Sequence, residues 1–143
     1  MQPQNFKNHM QFVKGYHFVL SPLLLTGIIT SIVNLCFHLH DGLLITSLFI
    51  SALFLCSLLI SYYSRVFALK AQDRAIRAEE SLRHFVLTGK LPDNRLSNGQ
   101  IIALRFAPDQ EFLLLSGRAV SENLSPKEIK MAIKDWKGDY NRV

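Results

Sequence analysis

The side chains that could do chemistry are few and scattered. His38, His40 and Asp41 form the one cluster of metal-ligand residue types in the sequence. A zinc site needs three or four ligands, and an i, i+2 spacing turns two histidines to different sides of a helix. The cluster therefore reads as polar residues closing a turn, and no metal or other cofactor is expected. His9, His17 and His84 stand singly, with no sequence neighbour to complete a catalytic pair. Cys36 and Cys56 fall in two different apolar runs. At about 1.5 Å of rise per residue their depths would differ by more than ~10 Å, too far for a disulfide, so they read as small apolar fillers. A P-loop, a dinucleotide fingerprint, a nucleophile elbow and an HExxH motif are all absent from the sequence. These absences point away from an enzyme.

The elements that hold these residues come from an uneven composition. From His17 to Tyr63 there is no Lys, Arg or Glu and a single Asp, whereas residues 64–143 carry 14 of the 16 basic and 10 of the 11 acidic residues. Residues 17–39 and 43–63 are two apolar runs of 23 and 21 residues. A helix of about 20 residues spans the hydrocarbon core of a bilayer. The three residues between them, His40, Asp41 and Gly42, force an antiparallel hairpin. A signal peptide would have an apolar region about half as long as the first run. Two buried soluble helices would need more polar residues than the chain has to cover them.

The expected fold class is therefore all-α: a two-helix transmembrane hairpin, its second span extended into a long cytoplasmic helix, followed by a small three-helix tail. The boundaries are an N-terminal segment over 1–16, the hairpin over 17–63, a juxtamembrane amphipathic helix over 64–91 and a tail over 92–143. Lys7 and Lys14 precede the first span and Arg65, Lys70, Arg74 and Arg77 follow the second, while the connecting turn has no basic residue. Positive charge stays on the cytoplasmic side, so both termini are expected there, with Tyr16, Tyr62 and Tyr63 at the inner interface.

Within the hairpin, Gly27, Thr30, Ser31 and Asn34 recur at i, i+3, i+4, i+7 and so share a face of the first helix. Ser47, Ser51, Ser57 and Ser61 supply small polar positions on the second. Small residues let helices approach closely and hydroxyls bond across the seam. Gly27, Ser31, Asn34, Ser47, Ser51, Ser57 and Ser61 are thus the candidate helix seam.

The helix from Ser64 onward contains no Gly or Pro before Gly89, which reads as its C′ residue. Asp73 with Arg77 and Glu79 with Arg83 are favourable i, i+4 pairs, and Leu69, Ile76, Leu82, Phe85 and Val86 make an apolar stripe expected to support the tail. Three helix starts follow. Ser97 to Gln100 is a capping box, Pro108 fits position N1, and Ser125-Pro126-Lys127-Glu128 combines an N-cap, an N1 proline and an N3 glutamate. The last helix is expected to reach about Lys137. Ile101, Leu104, Phe106, Phe112, Leu115, Val120, Ile129, Ile133 and Trp136 are the expected tail core.

The stretches Gln4 to His9, Phe67 to Glu80, Leu82 to Phe85, Gln100 to Ala107, Ile129-Lys130 and Trp136 resemble an uncharacterised bacterial family of small two-span membrane proteins. The resemblance covers nearly the whole chain. It implies a bacterial inner membrane and the same two-span anchor, and brings no activity or site residues.

The leading expectation is a membrane-anchored, non-enzymatic interaction module. Arg65, Lys70, Arg74, Arg77, Glu80, Arg83 and Trp136 form its candidate interaction surface. Its partners are expected to be anionic lipid headgroups at the juxtamembrane helix, together with a protein or a second copy of the chain. The alternative is a small accessory subunit of a membrane transport or channel assembly, whose Ser-rich seam lines a path. Nucleic acid is disfavoured, because residues 93–143 hold eight basic against seven acidic residues.

Overall fold

A computed structural model describes residues 4–9 and 12–140. Its elements are a π-helical segment (Gly15–Leu20) running into α1 (Ser21–Phe37), then α2 (Leu44–Thr88), α3 (Asn98–Leu104), α4 (Asp109–Ser121) and α5 (Pro126–Ala132). No strand occurs among the described residues. The chain divides into two compact units, Gln11–Ala68 and Met1–Met10 with Leu69–Val143, and α2 contributes to both.

The first unit is the helical hairpin. Gly15–Phe37 and the long α2 are each long and apolar enough to cross a membrane, and only 6% of either apolar window is buried. A core helix of a soluble protein would bury most of that surface. Pro22 explains the π start. Its missing N–H and its ring disrupt the pattern of bonds to the residue four back. The Ser21 amide instead reaches Tyr16 O, five residues earlier, and its hydroxyl donates to the same oxygen at 2.8 Å. α1 ends where the His38 amide bonds Asn34 O and Leu35 O, and the connecting turn is tied by Asp41, which accepts from the Leu43 amide at 2.9 Å.

The second unit is built from both ends of the chain. α2 runs unbroken to Thr88, and Gly89 then takes the left-handed conformation, φ +71°, that a side chain would resist. Both capping boxes form: Ser97 and Gln100 exchange bonds at the start of α3, and Ser125 and Glu128 at the start of α5. Pro108 is the N-cap of α4 rather than its first residue, its carbonyl accepting from the Glu111 and Phe112 amides. α3, α4 and α5 enclose a core of Leu96, Ile101, Ala103, Leu104, Phe106, Ala107, Phe112, Leu115, Ala119, Ile129 and Ile133, with Val120 and Trp136 packed against it.

Two further expectations need correction. α5 stops at Ala132, five residues short of Lys137, because the amides of Lys134 and Asp135 bond the Glu111 carboxylate and the Lys137 amide bonds Phe106 O. These competing acceptors replace the next helical turn. In the stripe expected to support the tail, Ile76 alone is buried, at 7% exposure, whereas Leu82 and Val86 are 63% and 74% exposed. The side of α2 that turns inward carries Glu80 and Arg83 instead.

Candidate functional site

In the hairpin unit, the seam is a ladder of small polar residues. Ser47 donates to Asn34 Oδ1 at 2.8 Å, and Ser51 donates to Ser31 O at 3.2 Å. Ser31 and Ser47 are almost wholly buried. Gly27 admits the Phe54 ring so closely that a Cβ there would lie 2.1 Å from it. Near the other end Tyr16 donates to Ser61 O at 3.2 Å and carries the Arg65 guanidinium over its ring, 5.6 Å from the centroid. Six of the seven candidate seam residues therefore meet. Ser57 does not: it is exposed and donates to Leu53 O of its own helix. Thr30 likewise bonds back to Thr26 O.

The turn residues read as a polar closure fit that reading, with His38 and Asp41 bonded to each other. His38 Nδ1 lies 2.6 Å from Asp41 Oδ2. That bond, with the one from the Leu43 amide, holds the Asp41 carboxyl below the usual carboxylate range. Among the described residues no group of three or more His, Cys, Asp or Glu could hold a metal ion.

The seven candidate surface residues separate. Lys70, Arg74 and Arg77 are exposed on α2, and Arg65 belongs to the hairpin unit, against Tyr16. Glu80, Arg83 and Trp136 turn inward instead. Arg83, with 12% of its side chain exposed, bonds Glu80 Oε2 at 3.0 Å, Asp109 Oδ1 at 2.6 Å and Ala107 O at 2.8 Å. Its guanidinium also lies over the Phe112 ring, 4.3 Å from the centroid. The expected pairing of Arg83 with Glu79 gives way to this hub, because Asp109 at the start of α4 and the Ala107 carbonyl saturate more of the guanidinium donors. Trp136 packs on Phe106, with ring centroids 5.0 Å apart.

Sequence reasoning missed the partner of that tryptophan. His9, from the N-terminal segment, has its ring 5.7 Å from Trp136, 5.8 Å from Phe106 and 6.0 Å from Phe6. Its Nδ1 lies 2.8 Å from Phe6 O and so carries the proton, which leaves Nε2 to accept from Lys130 Nζ at 3.2 Å. Gln4 completes the strap: its amide nitrogen donates to Asp139 O at 3.2 Å and its carbonyl accepts from the Asp139 amide at 2.9 Å. Residues 4–9 are thus part of the tail's fold. Their signal in the sequence is limited to an Asn-Phe-Lys-Asn-His run with two local turn formers.

A cleft of about 430 Å³ opens in the same unit beside α2, lined by Gln72, Ile76, Glu79, Glu80, Arg105 and Lys137 to Tyr140. Its charges are largely matched internally, Arg105 with Asp139 at 3.1 Å and Glu80 with Arg83. No nucleophile and base are brought together there.

Against known families, the sequence matches a family of unknown function, DUF6526, over residues 1–143. The chain belongs to that family. No curated protein and no solved structure matches it. Membership in DUF6526 fixes what the chain is related to while leaving its role to be read from the arrangement above. That arrangement comprises a self-satisfied hairpin seam, a charge hub used for packing, and a basic, partly apolar outer surface on α2.

Proposed function

We propose that the chain is a non-enzymatic interaction module of the bacterial inner membrane, anchored by its hairpin and presenting a cytoplasmic helical surface to a protein partner or to a second copy of itself. The observation that carries this reading is the strap. Residues 4–9 and the tail beyond residue 69 co-fold, although both apolar helices intervene in the sequence. An even number of crossings returns the two ends to one face, and the basic residues Lys7, Lys14, Arg65, Lys70, Arg74 and Arg77 favour the cytoplasmic face. There the exposed Lys70 and Arg77 are free to meet anionic headgroups.

The hub and the cleft spend their charges on packing, which supports display rather than turnover. The alternative, an accessory transport subunit with a polar seam path, is weakened because the Ser47, Asn34 and Ser51 groups bond across the hairpin.

Photo-reactive side chains in cells test the reading. Placed at Leu114 and Met131, which are 73% and 53% exposed, they are expected to capture protein. Placed at Ile29 and Leu53, 60% and 66% exposed, they are expected to capture lipid alone. Protein adducts from the hairpin positions alone would favour the transport assembly and refute the module. A C-terminal alkaline phosphatase fusion should be inactive, and activity would refute the topology.

A further inference from the structure

Resting on the reading that the helical unit engages a protein, the structure assigns the partner. We propose that the α2 helices of two copies pair in parallel through Ala71, Ala75, Ala78, Leu82 and Phe85.

The first argument is spacing. These residues follow one another at intervals of four, three, four and three, the heptad rhythm of a two-stranded coil. At about 100° per residue they fall within a band of roughly 80° on one side of the helix. Ile76, Glu80 and Arg83, which face the unit's own core, cluster on nearly the opposite side. The stripe is therefore left out of the fold: Ala71, Ala75 and Ala78 are exposed, Leu82 is 63% exposed, Phe85 49%, and Val86 beside them 74%.

The second argument is charge. Arg74 and Glu79 flank the stripe on its two edges, at the g and e positions of the heptad, and both are exposed. In a parallel pair the g residue of one helix faces the e residue five positions later on the other, so Arg74 meets Glu79 twice. In an antiparallel pair g would face g and e would face e, so Arg74 would meet Ser81 or another Arg74, Glu79 would meet Gln72 or another Glu79, and neither charge would find its opposite. The charges therefore select the parallel arrangement, which is also the one that two copies inserted in the same membrane must adopt. A parallel pair through one stripe is self-complementary and closes as a dimer.

Four turns of contact fall short of the ~800 Å² per partner of a standard stable interface. Confinement to a shared membrane raises the effective concentration enough to compensate. Pairing should therefore be strong in vesicles and weak in dilute detergent.

The test uses the full chain carrying Cys36→Ala and Cys56→Ala, reconstituted in vesicles of phosphatidylethanolamine and phosphatidylglycerol. Single cysteines are introduced in turn across residues 71–86 and oxidised. The expected yield peaks for Ala71→Cys, Ala75→Cys and Ala78→Cys and falls for Asp73→Cys and Arg77→Cys. A flat profile, or one peaking at 73 and 77, overturns the proposal. Leu82→Glu should cut the Ala78→Cys yield at least about tenfold. Because Leu82 lies outside the core, an unchanged Trp136 emission shows that the fold survives. Arg74→Glu should also lower the yield, and adding Glu79→Arg should restore it. Failure to restore overturns the parallel register. Absent cross-links with protein adducts at Leu114 would refute the dimer and leave the module reading standing, whereas the absence of both would refute the two together.

Discussion

Replacing Arg83 with Met should destabilise the helical unit by about 3–5 kcal/mol, the cost of stripping a buried ion pair of one partner. The guanidinium serves three acceptors, and their fates differ. Asp109, whose side chain is 62% exposed, recovers water. Glu80, at 9%, does not, and the buried Ala107 carbonyl loses a 2.8 Å bond. Most of the loss is thus the stranded Glu80 carboxylate. Glu80→Gln alone should cost about 1–2 kcal/mol, since Arg83 keeps Asp109 and Ala107 O. In that background Arg83→Met should cost no more than about 2 kcal/mol, giving a coupling of about 1–3 kcal/mol.

Trp136 reports on this transition without a label. It is the single tryptophan of the chain and packs on the buried Phe106. Urea unfolding of the full chain in mild detergent, followed by its emission, gives each free energy. With a slope near 1 kcal/mol per molar for so small a unit, Arg83→Met should lower the midpoint by about 3–5 M. Equal losses in the two backgrounds, or a loss below about 1 kcal/mol, would refute the claim that the hub holds the unit together by compensating Glu80.

Four further outcomes follow from other contacts. Gly27→Ala drives a Cβ into the Phe54 ring and should cost about 1–3 kcal/mol of hairpin packing; disulfide formation between Asn34→Cys and Ser47→Cys should fall, and Phe54→Ala should restore it. Ser125→Ala removes the N-cap of α5 and should lower unit stability by about 1 kcal/mol, read from the Trp136 transition. His9→Ala should shift Trp136 emission to the red and cost about 1 kcal/mol from lost ring contacts, and an unshifted spectrum would remove the strap from the fold. Asp93 is held down to about 2, first by the Arg95 side chain and then by the Arg95 amide. Its contribution is present above the unfolded value of about 3.9 and disappears as the pH falls through about 2, so Asp93→Asn should flatten acid unfolding across that window, lowering stability slightly at neutral pH because the pair is exposed, and leaving it unchanged below about pH 2.

What the sequence made legible is what is encoded locally. Two long apolar runs, a three-residue linker, two capping boxes and Gly89 each carry their structural reason within a few residues. The core was legible for the same reason, because helical spacing groups Phe112 with Leu115 and Ile129 with Ile133. The side of α2 that meets the tail was not. Hydrophobicity favoured Leu82, Phe85 and Val86, but Glu80 and Arg83 can be buried once Asp109 and Ala107 O, 24 to 29 residues away in sequence, complete their bonds. Ser57 misled for a simpler reason. The seam follows 47, 51, 54 and 61, at steps of four, three and seven, and the six-residue step from Ser51 to Ser57 leaves that rhythm. Beyond its own turn formers the strap carried no sign of its partners, since the Gln4 and Asp139 contacts span 135 residues.

That long-range closure bears on how the chain assembles. Joining residues 4–9 to the tail closes a loop of about sixty residues, an entropic cost of about 4 kcal/mol for a flexible chain. The strap's few hydrogen bonds and ring contacts would barely offset it. The hairpin removes most of the cost beforehand, because its own contact between Tyr16 and Ser61 already brings the two flanking segments together. A hairpin inserted with its ends on opposite faces would leave Trp136 and Phe106 without His9 and Gln4's partner without Gln4. On the proposed topology the strap should form only where both ends of the hairpin share one face, and substitutions that loosen the seam should weaken the strap without touching it.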